Sequence, residues 1–590
     1  MAFYPFEITT ANLIYACLGG FIVLFSMVSI LMKEKLYIGE VVFGTVFGII
    51  IGPYCANIFN PRGWGDGSEE STNAVTLEVM RIVLATGVFA IGVELSNAYM
   101  RKYWRSLANL VVPVMLWGWL VCAALFYAFI PGINFLSSLV IAACLTPTDP
   151  ILAAAIVGGK YADDNVPMHL RKIIAAESAA NDGLAYPFLF LALDLTLEPT
   201  VGTAIRKWIT VACLYQVVLG AVIGAVVGYI FKVLMKYSEK KGYIGGEAYA
   251  IQYLSLALLS IGITTLLGND DLLAAFAAGC TVSWDGHFNE KAEEHASFAT
   301  TIEILLNCAC FVYIGAILNF RQFNLPELGI EPWRLVVIFL IMLVVRRIPP
   351  LLLLYRWIPE VHNWREALFA GHFGPMGVGA VFISTMALEH LPHPHDPPIG
   401  QTEHLAAVLQ PIVLFVVLGS IIIHGMSIPF LTFSKMVRTM SRTMSATTWS
   451  RHPTRENEPT SLMAFTPNID ISKIVRSRDI DLERAESHQP PATPTTLGTA
   501  TPARLSKVMM STVPSRADTP ANDLPSEPKA ASKRDVTFNK EAELEKLESA
   551  RAADGAVRTA DNSIQEIDLS DLPAAAGRGV ATTPPLKEKE

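Results

Sequence analysis

The sequence predicts an all-α polytopic membrane protein: about thirteen transmembrane helices in an inverted repeat, followed by a disordered C-terminal tail. Three observations predict it. Apolar runs of membrane-spanning length fill the chain to about residue 435 and then stop. Positive charge gathers in every second loop between those runs. Two runs, the fifth and the twelfth, are interrupted by proline and glycine at corresponding positions.

Composition sets the class. Of 590 residues, 52% are apolar and 17% charged. A soluble chain carries about 25% charged residues, and mean hydropathy here is +0.41. The eight cysteines stand singly, without Cys-x-x-Cys spacing, so no disulfide framework or zinc site is expected. The opening MAFYPFEITTANL lacks a basic n-region and a cleavage site, so the first apolar run is expected to stay as a span. No phosphate-binding glycine loop occurs, so coupling to an ion gradient is expected, with no cofactor and no nucleic-acid partner.

A bilayer core about 30 Å thick needs about 20 mostly apolar residues per helix. That ruler places spans near 9–32, 38–58, 75–98, 107–130, 135–157, 168–194, 207–235, 247–267, 270–284, 300–319, 333–356, 366–388 and 404–433. One set of loops carries Lys33, Lys35, Arg101, Lys102, Arg105, Lys160, Arg171 and Lys172, then Lys232, Lys236, Lys240, Lys241, Lys291, Arg356 and Arg365. The alternate set holds little beyond Arg62, Arg206, Lys207, Arg321 and Arg334. Cytoplasmic loops are the Lys/Arg-rich ones. The N-terminus is therefore expected outside, and the tail, opening with Lys435, Arg438 and Arg442, inside.

The fifth span reads IAACLTPTDPILAAAIVGG, with Pro147 and Pro150 bracketing Thr148 and Asp149. Proline removes a backbone donor and clashes with the carbonyl four residues back, so the helix is expected to unwind there. Freed backbone groups are tolerated at membrane depth only where protein or a water-filled cavity satisfies them. The twelfth span, GHFGPMGVGAVFISTMAL, places Gly374, Pro375, Gly377 and Gly379 in the same position. The two are offset by seven spans, an odd number, so they cross in opposite directions. Spans 1–6 then relate to spans 8–13, with a binding site between the breaks.

Ionisable residues inside the membrane are functional candidates because charge there is costly. Asp149 is one. The sixth span contributes Glu177, Asn181 and Asp182 in ESAANDG, with Ser178 on the face of Asp182. The third ends near Glu94, and the eleventh carries Arg346 and Arg347. A hard monovalent cation takes oxygen ligands, and Asp149, Asp182, Ser178 and the Thr148 carbonyl make such a set, with Na+ at Asp182 and Asp149. A carboxylate also binds a proton. Competition between the two for one carboxylate suffices for antiport. Glu177 with an arginine reads as a structural ion pair. Glu94 reads equally as a solvated helix end and as a site residue. His390, His393, His395 and Asp396 read as a Pro-rich outer loop rather than a metal cluster, and His372 as a satisfied interior histidine.

TPTDP, ESAANDG and the arginine of span eleven together resemble the cation/proton antiporters. ESAANDG and GHFGPMGVGA look most like the fungal plasma-membrane sodium/proton antiporters, over about the first 435 residues. The resemblance implies a secondary transporter, not an enzyme, that exchanges Na+, Li+ and in its widest reading K+ for H+ by alternating access. It also implies a homodimer with a moving core domain, at the plasma membrane, serving salt tolerance and pH homeostasis. Asp182, preceded by Asn181, matches the family's cation- and proton-binding aspartate; Thr148, Asp149 and Ser178 match positions that ligate or support the ion. Glu177 matches the glutamate paired with the span-eleven arginine, which aligns better with Arg347 than with Arg346. Glu94 matches an acidic position in span three. LLGNDDLLAAFAAG holds Asp270 and Asp271, whose fungal counterparts are needed for transport; they equally fit helix N-caps. GPMG lacks the arginine of the animal relatives, so their pH regulation is not carried over.

Three alternatives are weighed: a potassium-preferring exchanger of the same fold, a channel, and an intramembrane aspartyl protease using Asp149 and Asp182. Two broken spans and a buried arginine favour exchange. Residues 436–590 are rich in Pro, Ser, Thr, Ala and charge and cannot bury a core. They predict a cytoplasmic regulatory tail. Ser441 and Ser445 follow basic residues, and Thr493, Thr501, Thr519 and Thr583 precede proline, so kinases and phospho-binding proteins are its expected partners. Residues 468–482 alternate enough to form a short docking element.

Overall fold

The computed structural model describes residues 8–95, 98–157, 162, 165–293 and 296–448. These belong to one compact unit, residues 1–457. The docking element and the threonine–proline sites of the tail lie outside the described residues.

Among the described residues every element is helical, apart from an isolated bridge between Leu325 and Ile330. The chain forms α1 (Thr10–Ile30), α2 (Glu40–Ile51), α3 (Glu69–Glu94), α4 (Tyr99–Asn109), α5 (Met115–Phe129), α6 (Phe135–Cys144) and α7 (Pro150–Val157). It continues with α8 (Met168–Gly183), α9 (Ala185–Leu197), α10 (Val201–Lys207), α11 (Gly220–Lys240), α12 (Glu247–Leu266), α13 (Asp271–Val282) and α14 (His287–Glu293). The last are α15 (Ala296–Ile317), α16 (Pro332–Val345), α17 (Ile348–Leu354), α18 (Trp364–His372), α19 (Val378–Glu389) and α20 (Gly400–Thr448).

Every apolar run read from the sequence contains helix among the described residues. Among the described residues eight helical stretches are long and apolar enough to cross a bilayer, and four more are shorter. Two of the short ones, α6 and α19, are halves of the interrupted spans, so helix length undercounts the crossings. Two further spans are also divided: Leu184 separates α8 from α9, and Arg346 with Arg347 separates α16 from α17. Pro349 and Pro350, just inside α17, explain the second division, since a proline is tolerated in a first turn but not in a helix interior. Side chains start several helices: Ser68 caps α3, Asn134 caps α6 and Asn363 caps α18.

Small residues bring the helices together, as expected where lipid offers no hydrophobic drive for association. A Cβ on Gly224 of α11 would strike the Ala274 carbonyl of α13. Close approach also reveals the repeat. Gly48 of α2 lies against Gly315 of α15, and Gly279 of α13 against Gly92 of α3. In span order these are second on tenth and ninth on third, the two contacts that exchange when spans 1–6 are laid on spans 8–13.

Candidate cation-binding site

The two broken spans cross at their breaks. Between α6 and α7, the Asp149 N–H donates to the Pro375 carbonyl of the other break at 2.8 Å. The Asp149 carboxylate closes two helix starts at once. Its Oδ1 accepts from the N–H groups of Ile151 (2.7 Å) and Leu152 (2.9 Å) in α7. Its Oδ2 accepts from the N–H of Val378, the first residue of α19. Two positive dipole ends thus meet on one negative side chain. The opposite ends meet Arg346. Its guanidinium donates to the Leu145 carbonyl after α6 and the Gly374 carbonyl after α18. Each half-helix pair therefore has a buried counter-charge.

Asn181 of α8 satisfies the unwound backbone. Its Oδ1 accepts from the Thr148 N–H (3.0 Å), and its Nδ2 donates to Thr148 Oγ1 (2.8 Å). Thr148 Oγ1 and Ser178 Oγ lie 2.9 Å apart. Span thirteen serves the other break in the same way. Ser420 Oγ accepts from the Met376 N–H (2.8 Å), and His424 Nε2 donates to the His372 carbonyl (3.0 Å). Spans six and thirteen correspond under the repeat, so each break is held by the span that follows it.

Asp182 stands apart from these satisfied groups. It is 0% exposed, and neither carboxylate oxygen has a hydrogen-bond partner among the described residues. The charges of Asp149 and Asp270 act on it. Gly379 of α19 faces it, and a Cβ there would stand 2.6 Å from Oδ1. Burying an unpartnered ionised carboxylate is costly. A bound cation or a proton removes that cost.

Residues 21–434 match the family model described as sodium/hydrogen exchanger, transmembrane. The chain belongs to the sodium/hydrogen exchanger family. The chain is 43% identical over 477 residues to the Na(+)/H(+) antiporter of Saccharomyces cerevisiae, covering 79% of this chain and 47% of that protein. It thus spans about half the length of that curated relative. It is 37% identical over 433 residues to the Na(+)/H(+) antiporter of Schizosaccharomyces pombe, covering 72% of this chain and 92% of that one. Its fold matches the sodium proton antiporter MjNhaP1 from Methanocaldococcus jannaschii with a TM-score of 0.51. That match has 17% identity and covers 71% of this chain and 98% of the other.

The two buried arginines divide their work. Arg347, not Arg346, reaches Glu177: Nη1 donates to Oε1 at 2.7 Å and Nη2 to Oε2 at 2.9 Å. This two-pronged geometry is the strong form of the pair. Asp270 and Asp271 sit beside the α8–α9 break. Asp270 caps α13 by accepting from the Leu273 N–H (2.9 Å), and its Oδ2 lies by Gly183, the residue after Asp182. Asp271 accepts from Arg81 Nε at 2.7 Å and from the Tyr186 hydroxyl at 3.2 Å.

The remaining candidates lie elsewhere in the fold. Glu94 lines a cavity of about 130 Å³ that includes Glu303, Asn307, Pro150 and Ile151. His372 Nε2 is 3.2 Å from Ser427 Oγ. His393, His395 and Asp396 line a separate cavity of about 600 Å³ with Glu69 and Glu327, and His395 Nδ1 is 2.9 Å from Glu403. They make no ion-holding group among the described residues; His169, His362 and Glu366 do lie close enough to share an ion. Sequence reasoning missed Arg81, Tyr186, Glu303, Ser420 and His424. A signal existed for the last two: Ser420 and His424 are polar, four apart and inside an apolar run.

Proposed function

We propose that this exchanger moves alkali-metal cations, Na+ and Li+ first, against protons by alternating access, with Asp182 as the carboxylate that both occupy in turn. The observation that carries the reading is the fully buried Asp182 carboxylate without a partner, at the crossing of two broken helices. Its neighbours suit a hard cation. An ionised carboxylate has about four acceptor positions. Asp149 spends three of them on backbone N–H groups, so it offers its charge and one position. The hydroxyl oxygens of Thr148 and Ser178 complete an oxygen set beside it. The same engagement of Asp149 argues against an aspartyl-protease dyad. Relatives named Na(+)/H(+) antiporters support Na+ and H+ as the exchanged ions.

The wider reading follows from the sequence. Residues 1–435 form the exchanger domain with thirteen crossings, the N-terminus outside and the tail of residues 436–590 in the cytoplasm. The protein works as a homodimer in the plasma membrane, and its tail meets kinases or phospho-binding proteins. Arg347 with Glu177 and Arg346 with the helix ends hold the site's shape, while Asp270 and Asp271 support Asp182 from α13.

The test uses purified protein in liposomes with an internal pH dye and an imposed proton gradient. Sodium and lithium should collapse the gradient, choline should not, and Asp182→Asn should abolish the response. A potassium response widens the substrate set. Absence of any cation-driven proton movement in monodisperse protein sinks the reading.

A further inference from the structure

We propose that Glu303, together with Glu94, forms a cation-gathering station that feeds the Asp149–Asp182 site and sets the affinity for the transported cation from that side. The inference rests on the exchange reading above.

Glu303 belongs to α15, a stretch apolar enough to cross the bilayer. A carboxylate in such a place needs a reason. Its Oε1 accepts from the Tyr253 hydroxyl at 2.8 Å. Tyr253 is itself buried, edge-on to Phe89 of α3 at 5.8 Å. The carboxylate is thereby aimed rather than free to swing. It lines the cavity of about 130 Å³ between α3, α7 and α15, with Glu94 across from it. Asn307, one turn further along α15, adds another oxygen on the same face.

The first turn of α7, Pro150 and Ile151, lines that cavity. Asp149 precedes Pro150, and its Oδ1 holds the Ile151 N–H at 2.7 Å. The cavity therefore touches the residue that follows Asp149 at the crossing of the broken helices. A second cavity of about 260 Å³ shares Glu94 and Pro150 and extends to Arg171 and Lys172. Those two cations belong to the loops that the charge pattern places in the cytoplasm. The approach from that face passes Arg171 and Lys172 before it reaches the smaller cavity, whose charged side chains are both carboxylates. A cleft of one sign with low-dielectric walls, as the smaller cavity is, concentrates counter-ions. Here the concentrated species is the alkali cation. Pairing with Tyr253 alone would not require a charge, since an amide oxygen accepts the same hydrogen bond.

That difference supplies the experiment. Glu303→Gln keeps an acceptor for Tyr253 and removes only the charge. In proteoliposomes, with sodium titrated at fixed pH, E303Q should raise the KM for sodium about tenfold, while its saturating rate falls far less. Adding Glu94→Gln should raise KM further, and Glu303→Asp should stay near wild type. The gap between E303Q and wild type should narrow in high choline chloride, because the attraction is screened. A lower saturating rate with unchanged KM, insensitive to salt, means a structural residue and overturns the proposal. An E303Q protein indistinguishable from an active wild type overturns it equally. Wild type that moves no protons on sodium addition overturns the exchange reading and this one with it.

Discussion

At the scale of single residues, the buried polar groups sort by whether their partners are complete. Asp149, Asn181, Arg346 and the Glu177–Arg347 pair bond to the broken segments or to each other, with Arg347 Nε left without a partner among the described residues. Asp182 does not. The first group should therefore govern stability and Asp182 should govern transport. Removing one partner of a buried ion pair leaves an uncompensated charge and costs about 3–5 kcal/mol. Arg347→Ala should lower the unfolding free energy in detergent by that amount. The double change with Glu177→Gln should cost less than the two single changes summed. Asn181→Ala strands the Thr148 N–H and should cost about 1–3 kcal/mol. Gly379→Ala should behave oppositely. Its new methyl would press on Asp182 Oδ1, so sodium-driven proton movement should fall at least as far as sodium binding does. Thermal unfolding, read beside the liposome assay, separates the two classes.

Elements matter here mainly through their ends. A continuous helix satisfies its own backbone, whereas a half-helix ending at membrane depth exposes N–H groups or carbonyls that need partners. In this fold each exposed end receives one: Asp149 at the two starts, Arg346 at the two ends, with Asn181 and Ser420 bonded inside the breaks. Ser420→Ala should therefore weaken the α18–α19 break by about 1–3 kcal/mol, since the Met376 N–H is left buried and unpaired. Hydrogen exchange at residues 373–378 should rise while α6 and α7 keep their protection. Equal loosening of both breaks would show that they open as one unit instead.

At the scale of the whole molecule, one carboxylate shared by two ions predicts a coupling that no single contact shows. On the proposed reading protons and sodium exclude each other at Asp182, so the apparent KM for sodium should climb in proportion to proton concentration on the acidic side of the pH range. The saturating rate should change less. Sodium titrations of proton movement at several pH values check this. A KM that ignores pH would place the two ions on separate groups.

How much of this was legible along the chain depends on whether the information is local. Span length, the alternation of basic loops and the Pro/Gly interruptions depend on residues near one another in sequence. They sufficed for an all-helical membrane fold with two broken spans in corresponding positions. They also pointed to Asp149 and Asp182, because an acidic residue in an apolar run is conspicuous wherever it lies. Partnerships across the fold were not local. Adjacent Arg346 and Arg347 look interchangeable in sequence, yet the division between α16 and α17 turns one toward two helix ends and the other toward Glu177, 170 positions away. Asp149 reads as a ligand along the chain, and only the crossing of the breaks shows most of its acceptor capacity used by helix starts. Glu303 joins Glu94, Pro150 and Ile151 around one cavity through the packing of α15 on α3 and of α3 on α7. Pattern along a chain reports what each segment must bury, and the packing of segments far apart in sequence decides which buried group answers which.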